Sequence, residues 1–198
     1  MSAMLEVSGA SKRYGGVVAN KDISLHVAPG EIVGLIGPNG SGKTTLFNSI
    51  VGHHPIDSGS VRFEGRELSK MRVPAIARLG LLRTFQQTRI YPKMTCMQNM
   101  AISMPNRREG WGGMFARYPV AVKDRAEELM QQKLLEFAMA LMNEPKMLLL
   151  DEPTAGINPT LINGLIDRLK RANRDLGITL LVIEHNMRVI MNLAERIY

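Results

Sequence analysis

The sequence predicts an α/β fold in which a parallel sheet is accompanied by a small N-terminal antiparallel sheet. Three observations predict it. After residue 31, short apolar strands alternate with helices, which is the pattern of a parallel α/β sheet. Before residue 31, apolar residues recur at every second position between glycine breaks, as in antiparallel strands. Finally, a glycine-rich loop joins the first strongly apolar strand to a helix.

The elements of the first half are predicted from alternation and from turn residues. Leu5 and Val7 belong to one strand and Ile23 to Val27 to another, and Pro29-Gly30 predicts a turn. The short run IVGLIG predicts a buried strand, and TTLFNSIVG predicts a helix that ends at Gly52. Three further elements come next: a hairpin in SGSVRFEGREL, a short helix over 73–79 and a strand in LLRTF.

The second half is predicted to continue the alternation. MTCMQNMAIS begins a helix with Thr95 as N-cap and Gln98 in the capping-box position, EGWGGMFARYP is an irregular loop, and residues 121–142 are helical. The remaining elements are a strand in KMLLLDEP, a helix in LINGLIDRLKRANRDLG closed by Gly177, a strand in ITLLVIEH, a helix in NMRVIMNLAER and the start of a strand at residues 196–198.

Composition narrows the function classes. The chain has 198 residues, a formal net charge of +7 and one cysteine, so it has no internal disulfide and no cysteine-rich metal site. No apolar run approaches the ~20 residues that span a bilayer, and no signal-peptide pattern opens the chain, so we expect a soluble cytosolic protein. The basic residues are scattered, with the densest cluster at residues 106–108, and we expect no nucleic-acid partner.

A phosphate-binding motif comes directly after the IVGLIG strand. The pattern G-x-x-x-x-G-K-[ST] is matched by Gly37, Pro38, Asn39, Gly40, Ser41, Gly42, Lys43 and Thr44. Its glycines let successive backbone N–H groups curl around phosphate oxygens at the positive end of a helix. Lys43 supplies a full positive charge to the outer phosphates, and the Thr44 hydroxyl can ligate Mg²⁺.

Acidic residues end the KMLLLDEP strand. Ligands of open α/β sheets bind at the carboxyl ends of the strands, so Asp151 is expected to reach a magnesium ion and Glu152 to act as general base on water. Two adjacent acids repel, and bound Mg²⁺ would relieve that repulsion. His185 comes after the next buried strand at the same edge and can contact the γ-phosphate. The other three histidines, His26, His53 and His54, are expected on the surface.

Taken together, GPNGSGKTT, LLLDEPTAGINP and LLVIEHNM resemble the ATP-binding subunit of ABC transporters over essentially the whole chain. The resemblance implies binding of ATP with Mg²⁺ through the phosphate loop, including Thr45. It also implies individual roles: adenine stacking for Tyr14, a link between magnesium, water and the membrane partner for Gln86, the metal ligand for Asp151, the catalytic glutamate for Glu152 and the switch histidine for His185.

The resemblance also implies an architecture and partners. A single ABC ATPase domain, 1–198, would comprise a β-subdomain and RecA-like P-loop NTPase core (1–89 and 143–198) and a helical subdomain (90–142). Two such subunits, identical or different, would sandwich two nucleotides and drive membrane permease subunits from the cytoplasmic side of the bacterial inner membrane. A periplasmic solute-binding protein would take part indirectly. TAGINP is similar to the ATPases for branched-chain amino acid uptake, although Asn158 stands where many relatives have aspartate.

The family's LSGGQ-like signature is absent from EELMQQKLLEFAMALM, residues 127–142. Gln131 and the residues after it match the helix that comes directly after the signature, but no serine or helix start precedes them. Three explanations are open: a mobile segment missing from the sequence before Gln131, which we favour, a deliberate shortening, or a truly continuous helix. An intact mass above 22.0 kDa would establish the first.

Three other functions remain open on this sequence. A nucleic-acid-linked ABC protein usually carries tandem domains or coiled-coil inserts, which this chain lacks. A binding-only regulatory subunit gains ground if the signature is truly missing. The same ATPase with another cargo, such as urea, other amides or lipopolysaccharide in export, fits equally, because this subunit never touches the cargo.

Overall fold

The computed structural model describes residues 3–84, 94–102, 132–157 and 159–198. They fall into two compact units, one comprising Met1–Gln86 and Pro145–Tyr198 and the other Gln87–Glu144. The first unit contains both sheets. Gln86, Gln131, Asn158 and the predicted loop EGWGGMFARYP lie outside the described residues, as does the part of the predicted helix before residue 132.

The smaller sheet is antiparallel and has the strand order β2-β1-β4-β5. Its strands are β1 (Leu5–Tyr14), β2 (Val17–Val27), β4 (Ser58–Phe63) and β5 (Arg66–Glu67). In β1 and β2 the alternating apolar side chains face inward, and Leu5, Val7, Leu25 and Val27 are buried. The predicted antiparallel strands and hairpin are therefore confirmed, because period-two burial requires one covered face.

The larger sheet is parallel and has the order β6-β7-β8-β3-β9. Its strands are β3 (Ile32–Leu35), β6 (Leu81–Arg83), β7 (Met147–Asp151), β8 (Thr179–Ile183) and β9 (Arg196–Ile197). Every residue of β7 and of β8 is buried, as expected for central strands covered on both faces. The predicted parallel α/β sheet is confirmed.

The register of this sheet aligns three strand ends. Leu35 of β3 and Asp151 of β7 both pair with Ile183 of β8, so these three residues form one row across the sheet. The residues beyond the row leave the sheet at the same edge. This edge carries the phosphate loop after β3 and the polar residues after β7 and β8.

Six helices are described. They are α1 (Lys43–Ile50), α2 (Val73–Arg78), α3 (Cys96–Ile102), α4 (Gln132–Leu141), α5 (Pro159–Leu176) and α6 (Met187–Leu193). The capping box predicted for α3 is present, because the Thr95 amide donates to Gln98 Oε1 at 2.9 Å and the Gln98 amide to Thr95 Oγ1 at 3.2 Å. Helix α5 buries one stripe only, formed by Leu165, Ile166, Leu169 and Ala172.

Candidate functional site

The phosphate loop lies between β3 and α1, with Lys43 as the first residue of the helix. Lys43 is buried, and its Nζ donates to the carbonyl oxygens of Gly37 and Pro38 at 2.8 Å each. Thr44, next along the helix, is exposed, and Thr45 is partly exposed. The lysine ammonium is thus held over its own loop, where it can exchange carbonyl partners for phosphate oxygens.

Gly42 is required where the loop meets β2. It caps α1 with a φ of 90°, and a Cβ atom there would lie 2.2 Å from the Ala19 carbonyl oxygen. The Asn20 amide, which is buried, donates to the Gly42 carbonyl at 3.1 Å. Any side chain at this position would push the loop away from β2, so glycine here is a consequence of close backbone approach as well as of dihedral angle.

Asp151 forms a buried ion pair with Arg83 of β6. Arg83 Nη2 lies 2.6 Å from Asp151 Oδ2, with side-chain exposures of 5% and 2%. Arg83 also donates through Nη1 to Asn48 Oδ1 on α1. The acid predicted as a metal ligand is therefore connected to the helix that begins at the phosphate loop, through an arginine that sequence reasoning missed.

Glu152 faces His185. The Nε2 atom of His185 lies 2.7 Å from Glu152 Oε1, and the Glu152 amide donates to the Ile183 carbonyl at 2.9 Å. Glu152 has a φ of 50°, a left-handed conformation that non-glycine residues rarely adopt and that is concentrated at functional sites. The two acids expected to repel each other are thus each paired with a different partner.

A second glutamate lies beneath this contact. Glu184, the residue after β8, is only 3% exposed. Its Oε1 accepts hydrogen bonds from the amide and the hydroxyl of Thr154, and its Oε2 accepts from the amides of His185 and Asn186. The residue stands within the motif LLVIEHNM, but only its burial, which periodicity predicts, hinted that this carboxylate needs partners.

Tyr14 ends β1 and is 44% exposed. Its ring meets the His54 imidazole edge-on at 5.7 Å between centroids, and Lys12 Nζ lies 5.5 Å from the ring centre. Asp57 accepts from Lys12 Nζ at 2.9 Å and from the Arg13 amide at 2.6 Å. These two hydrogen bonds, that from Lys12 foremost, lower the pKa of the Asp57 carboxyl below its ordinary value.

The remaining histidines are exposed, as predicted for His26, His53 and His54. Partial burial, followed by the nearby charges of Arg83 and His54, lowers the pKa of His53. This histidine therefore stays neutral at physiological pH. Gln86, by contrast, comes after β6 outside the described residues, so its predicted role stays a prediction.

A magnesium ion would find hard oxygen donors here. Thr44 offers a hydroxyl and Asp151 a carboxylate, the kind of oxygen ligands Mg²⁺ takes alongside nucleotide phosphates and water. Among the residues that the structure describes, no cluster of three or more His, Cys, Asp or Glu side chains forms a self-sufficient metal site. The donor set therefore fits a metal that enters with a nucleotide rather than one held by protein alone.

In the described part of the chain, no helix combines the length and the apolar character that a membrane crossing requires.

Comparison with known proteins gives a consistent family. Residues 20–155 match the ABC transporter family. The chain is 32% identical to the high-affinity branched-chain amino acid transport ATP-binding protein LivG of Escherichia coli (strain K12), with 98% of this chain and 87% of the relative covered. It is 31% identical to the corresponding protein BraF of Pseudomonas aeruginosa, with 98% of this chain and 86% of the relative covered.

Solved structures agree. A nucleotide-free ATP-binding cassette from an ABC transporter superposes with a TM-score of 0.84 at 28% identity, covering 100% of this chain and 87% of that one. The ADP conformation of the cassette MJ1267 gives a TM-score of 0.85 at 28% identity, with the same coverage. The dimeric cassette MJ0796 gives 0.81 at 25% identity, covering 98% of this chain and 93% of that one.

The sequence comparison also bears on the absent signature. The alignment with LivG spans 221 positions, whereas this chain has 198 residues. LivG therefore has residues within the aligned region that this chain lacks.

Proposed function

The chain belongs to the ABC transporter family and is an ATPase of that family, and we propose that it powers the import of branched-chain amino acids through membrane permease subunits. The relatives LivG and BraF support the cargo, and TAGINP in this sequence is consistent with it. Importer direction and cargo rest on these relatives, because the ATPase subunit carries no cargo site of its own.

One observation supports the proposed catalytic arrangement most strongly. Glu152 and His185 lie 2.7 Å apart, one residue beyond β7 and two beyond β8, at the edge where β3 leads into the phosphate loop. A carboxylate at that place can orient a water molecule and accept its proton as the water attacks the γ-phosphate in line. The His185 imidazole holds the Glu152 side chain in position through its ring N–H.

The other residues would bind and position the nucleotide. Lys43 and the loop amides take the phosphates, and Tyr14 offers an exposed ring on which adenine stacks. Thr44 and Asp151, with Gln86 as the resemblance implies, would hold Mg²⁺, which supplies charge neutralisation of the phosphate oxygens. Catalysis on this arrangement consists of positioning and charge stabilisation.

We propose the same subunit organisation that the resemblance implies. Residues 1–89 and 143–198 form the β-subdomain and core, and residues 90–142 form the helical subdomain. ABC cassettes form dimers, as in the dimeric structure of MJ0796. This chain would pair with a second ATP-binding subunit, identical or different, on permease subunits at the cytoplasmic face of the membrane, with a solute-binding protein acting on the far side.

The absent signature favours one second candidate, a binding-only regulatory subunit. In the head-to-tail sandwich, the signature of one subunit grips the γ-phosphate bound to the other. A chain without it would keep its own phosphate loop and acids, yet could not complete its partner's site. A mass spectrum of the intact protein decides whether the chain has the segment, since a mass above 22.0 kDa requires additional residues.

The experiment that tests the proposal uses the complex purified with its membrane partners. Glu152→Gln should lower ATP turnover by about 10²- to 10⁴-fold, the contribution typical of a general base, while nucleotide affinity survives. Unimpaired hydrolysis would refute the catalytic assignment. In proteoliposomes, leucine, isoleucine and valine should stimulate turnover and accumulate inside, and stimulation by urea alone would reassign the cargo.

A further inference from the structure

Glu184 joins the two loops that carry the candidate catalytic residues. Its Oε1 atom accepts from the Thr154 amide at 3.0 Å and from the Thr154 hydroxyl, on the loop that begins at Glu152. Its Oε2 atom accepts from the amides of His185 and Asn186 at 3.0 and 3.2 Å. One carboxylate therefore satisfies four donors, two on each loop, and each loop has an oxygen of its own.

This arrangement requires a carboxylate. Only an ionised carboxyl group accepts on both oxygens without donating, so an amide of the same shape would turn N–H groups toward donors on one of the two loops. An aspartate is one methylene shorter and cannot reach both. A buried charge is expensive unless it is fully hydrogen-bonded, and Glu184 at 3% exposure meets that condition through donors from the two loops.

We propose that Glu184 is a positioning residue for ATP hydrolysis, which fixes the loop of Glu152 relative to the loop of His185. The inference rests on the proposed roles of those two residues. Their 2.7 Å contact is made by side chains that are 25% and 37% exposed, so packing alone does not hold them. The buried carboxylate underneath sets the spacing of the two backbones and thereby the aim of the Glu152 carboxylate.

The matched control is Glu31. Its side chain is 14% exposed, and its Oε2 accepts from the Ala28 amide and from Arg196 at 2.8 Å each. It precedes β3 and so lies at the opposite edge of the same parallel sheet. Glu31→Gln and Glu184→Gln thus remove the same charge from comparable environments, one far from the site and one beneath it.

The first measurement compares turnover, affinity and melting for both variants in the complex. Glu184→Gln should lower kcat by about 10- to 100-fold, as expected for a misplacement near 1 Å, with nucleotide Kd within about twofold. Glu31→Gln should lower Tm without this split between kcat and Kd. A Glu184→Gln complex that melts lower but keeps its kcat would overturn the proposal.

The second measurement uses Thr154 and does not depend on turnover. Thr154→Val removes one donor to Glu184, whereas Thr154→Ser keeps it. In hydrogen exchange, Thr154→Val should accelerate exchange of the His185 and Asn186 amides on the other loop, and Thr154→Ser should restore protection. Unchanged exchange at these amides would refute the coupling.

The two failures are distinguishable. A wild-type complex without ATP turnover, or one in which Glu152→Gln has no effect, would refute the proposed function. The exchange experiment would still report on whether Glu184 links the loops. Should Glu184→Gln fail to fold, the Thr154 pair provides the same decision with milder substitutions.

Discussion

Arg83 Nη2 lies 2.6 Å from Asp151 Oδ2, and both side chains are almost completely buried. The two strands that carry them, β6 and β7, are neighbours in the parallel sheet. Asp151 is the residue expected to ligate Mg²⁺, and its charge is balanced by a guanidinium that also bonds Asn48 on α1. The buried ion pair thereby connects the strand of the acids with the helix of the phosphate loop.

Removing this arginine should destabilise the protein. Arg83→Met leaves the Asp151 carboxylate buried without its cation, which costs about 3–5 kcal/mol of unfolding free energy. Urea unfolding in EDTA measures this loss. The double variant Arg83→Met/Asp151→Leu is the control and should recover much of it, because no charge remains to be buried. Equal stability of wild type and Arg83→Met would contradict the role of the pair.

The same variant tests the metal site. If Asp151 ligates Mg²⁺, the rise in Tm on adding ATP with Mg²⁺ should be larger for Arg83→Met than for wild type, because the metal replaces the missing positive charge. ATP in EDTA is the reference condition. A rise that is the same with and without Mg²⁺ in both proteins would remove Asp151 from the proposed metal ligands.

Lys43→Ala should lose nucleotide binding. The lysine is the only residue of the phosphate loop with a full positive charge, and a hydrogen bond to a charged group contributes about 1.5–3 kcal/mol, or about 10- to 100-fold in Kd. Titration with a fluorescent ATP analogue measures it. Lys21→Ala, which removes an exposed lysine of β2, controls for net charge and should bind normally. Normal binding by Lys43→Ala would remove the loop from the site.

Tyr14→Ala should weaken ATP binding through lost stacking. Stacking of a base on an aromatic ring contributes about 1–3 kcal/mol, which predicts roughly a 5- to 100-fold higher Kd. Tyr14→Phe keeps the ring and should bind like wild type. Inorganic triphosphate has no base, so its affinity should be the same for all three proteins. A loss of triphosphate binding in Tyr14→Ala would show instead that the substitution disturbs the phosphate loop.

Asp57 should make stability sensitive to acid. The pKa of this carboxyl is lowered in the folded protein by the hydrogen bonds from Lys12 and the Arg13 amide, from an ordinary value of 3.8. Its contribution is therefore complete above that value and is lost as pH falls through the lower folded pKa. Unfolding at about pH 7 and about pH 2 should show a stability difference between wild type and Asp57→Asn that narrows in acid. A difference that is constant with pH would contradict this.

Much of the fold could be predicted from the sequence. Alternation, glycine breaks and caps predicted both kinds of sheet, the helix of the phosphate loop and the Thr95–Gln98 capping box, because these features depend on residues close together in the chain. The family could be inferred from three short motifs. Periodicity across residues 121–142 could not decide whether a segment is missing before Gln131, because a joined sequence can keep a helical stripe by chance.

The sequence by itself determined which groups carry the chemistry: the glycine loop with Lys43, the adjacent acids and His185. Only the tertiary structure decided their partners. Arg83 meets Asp151, and Glu184 spans two loops, through contacts between residues 68 and 30 positions apart. The burial of a position can be predicted from local pattern, but the group that satisfies a buried charge depends on strand order and register, which bring distant parts of the chain to one sheet edge.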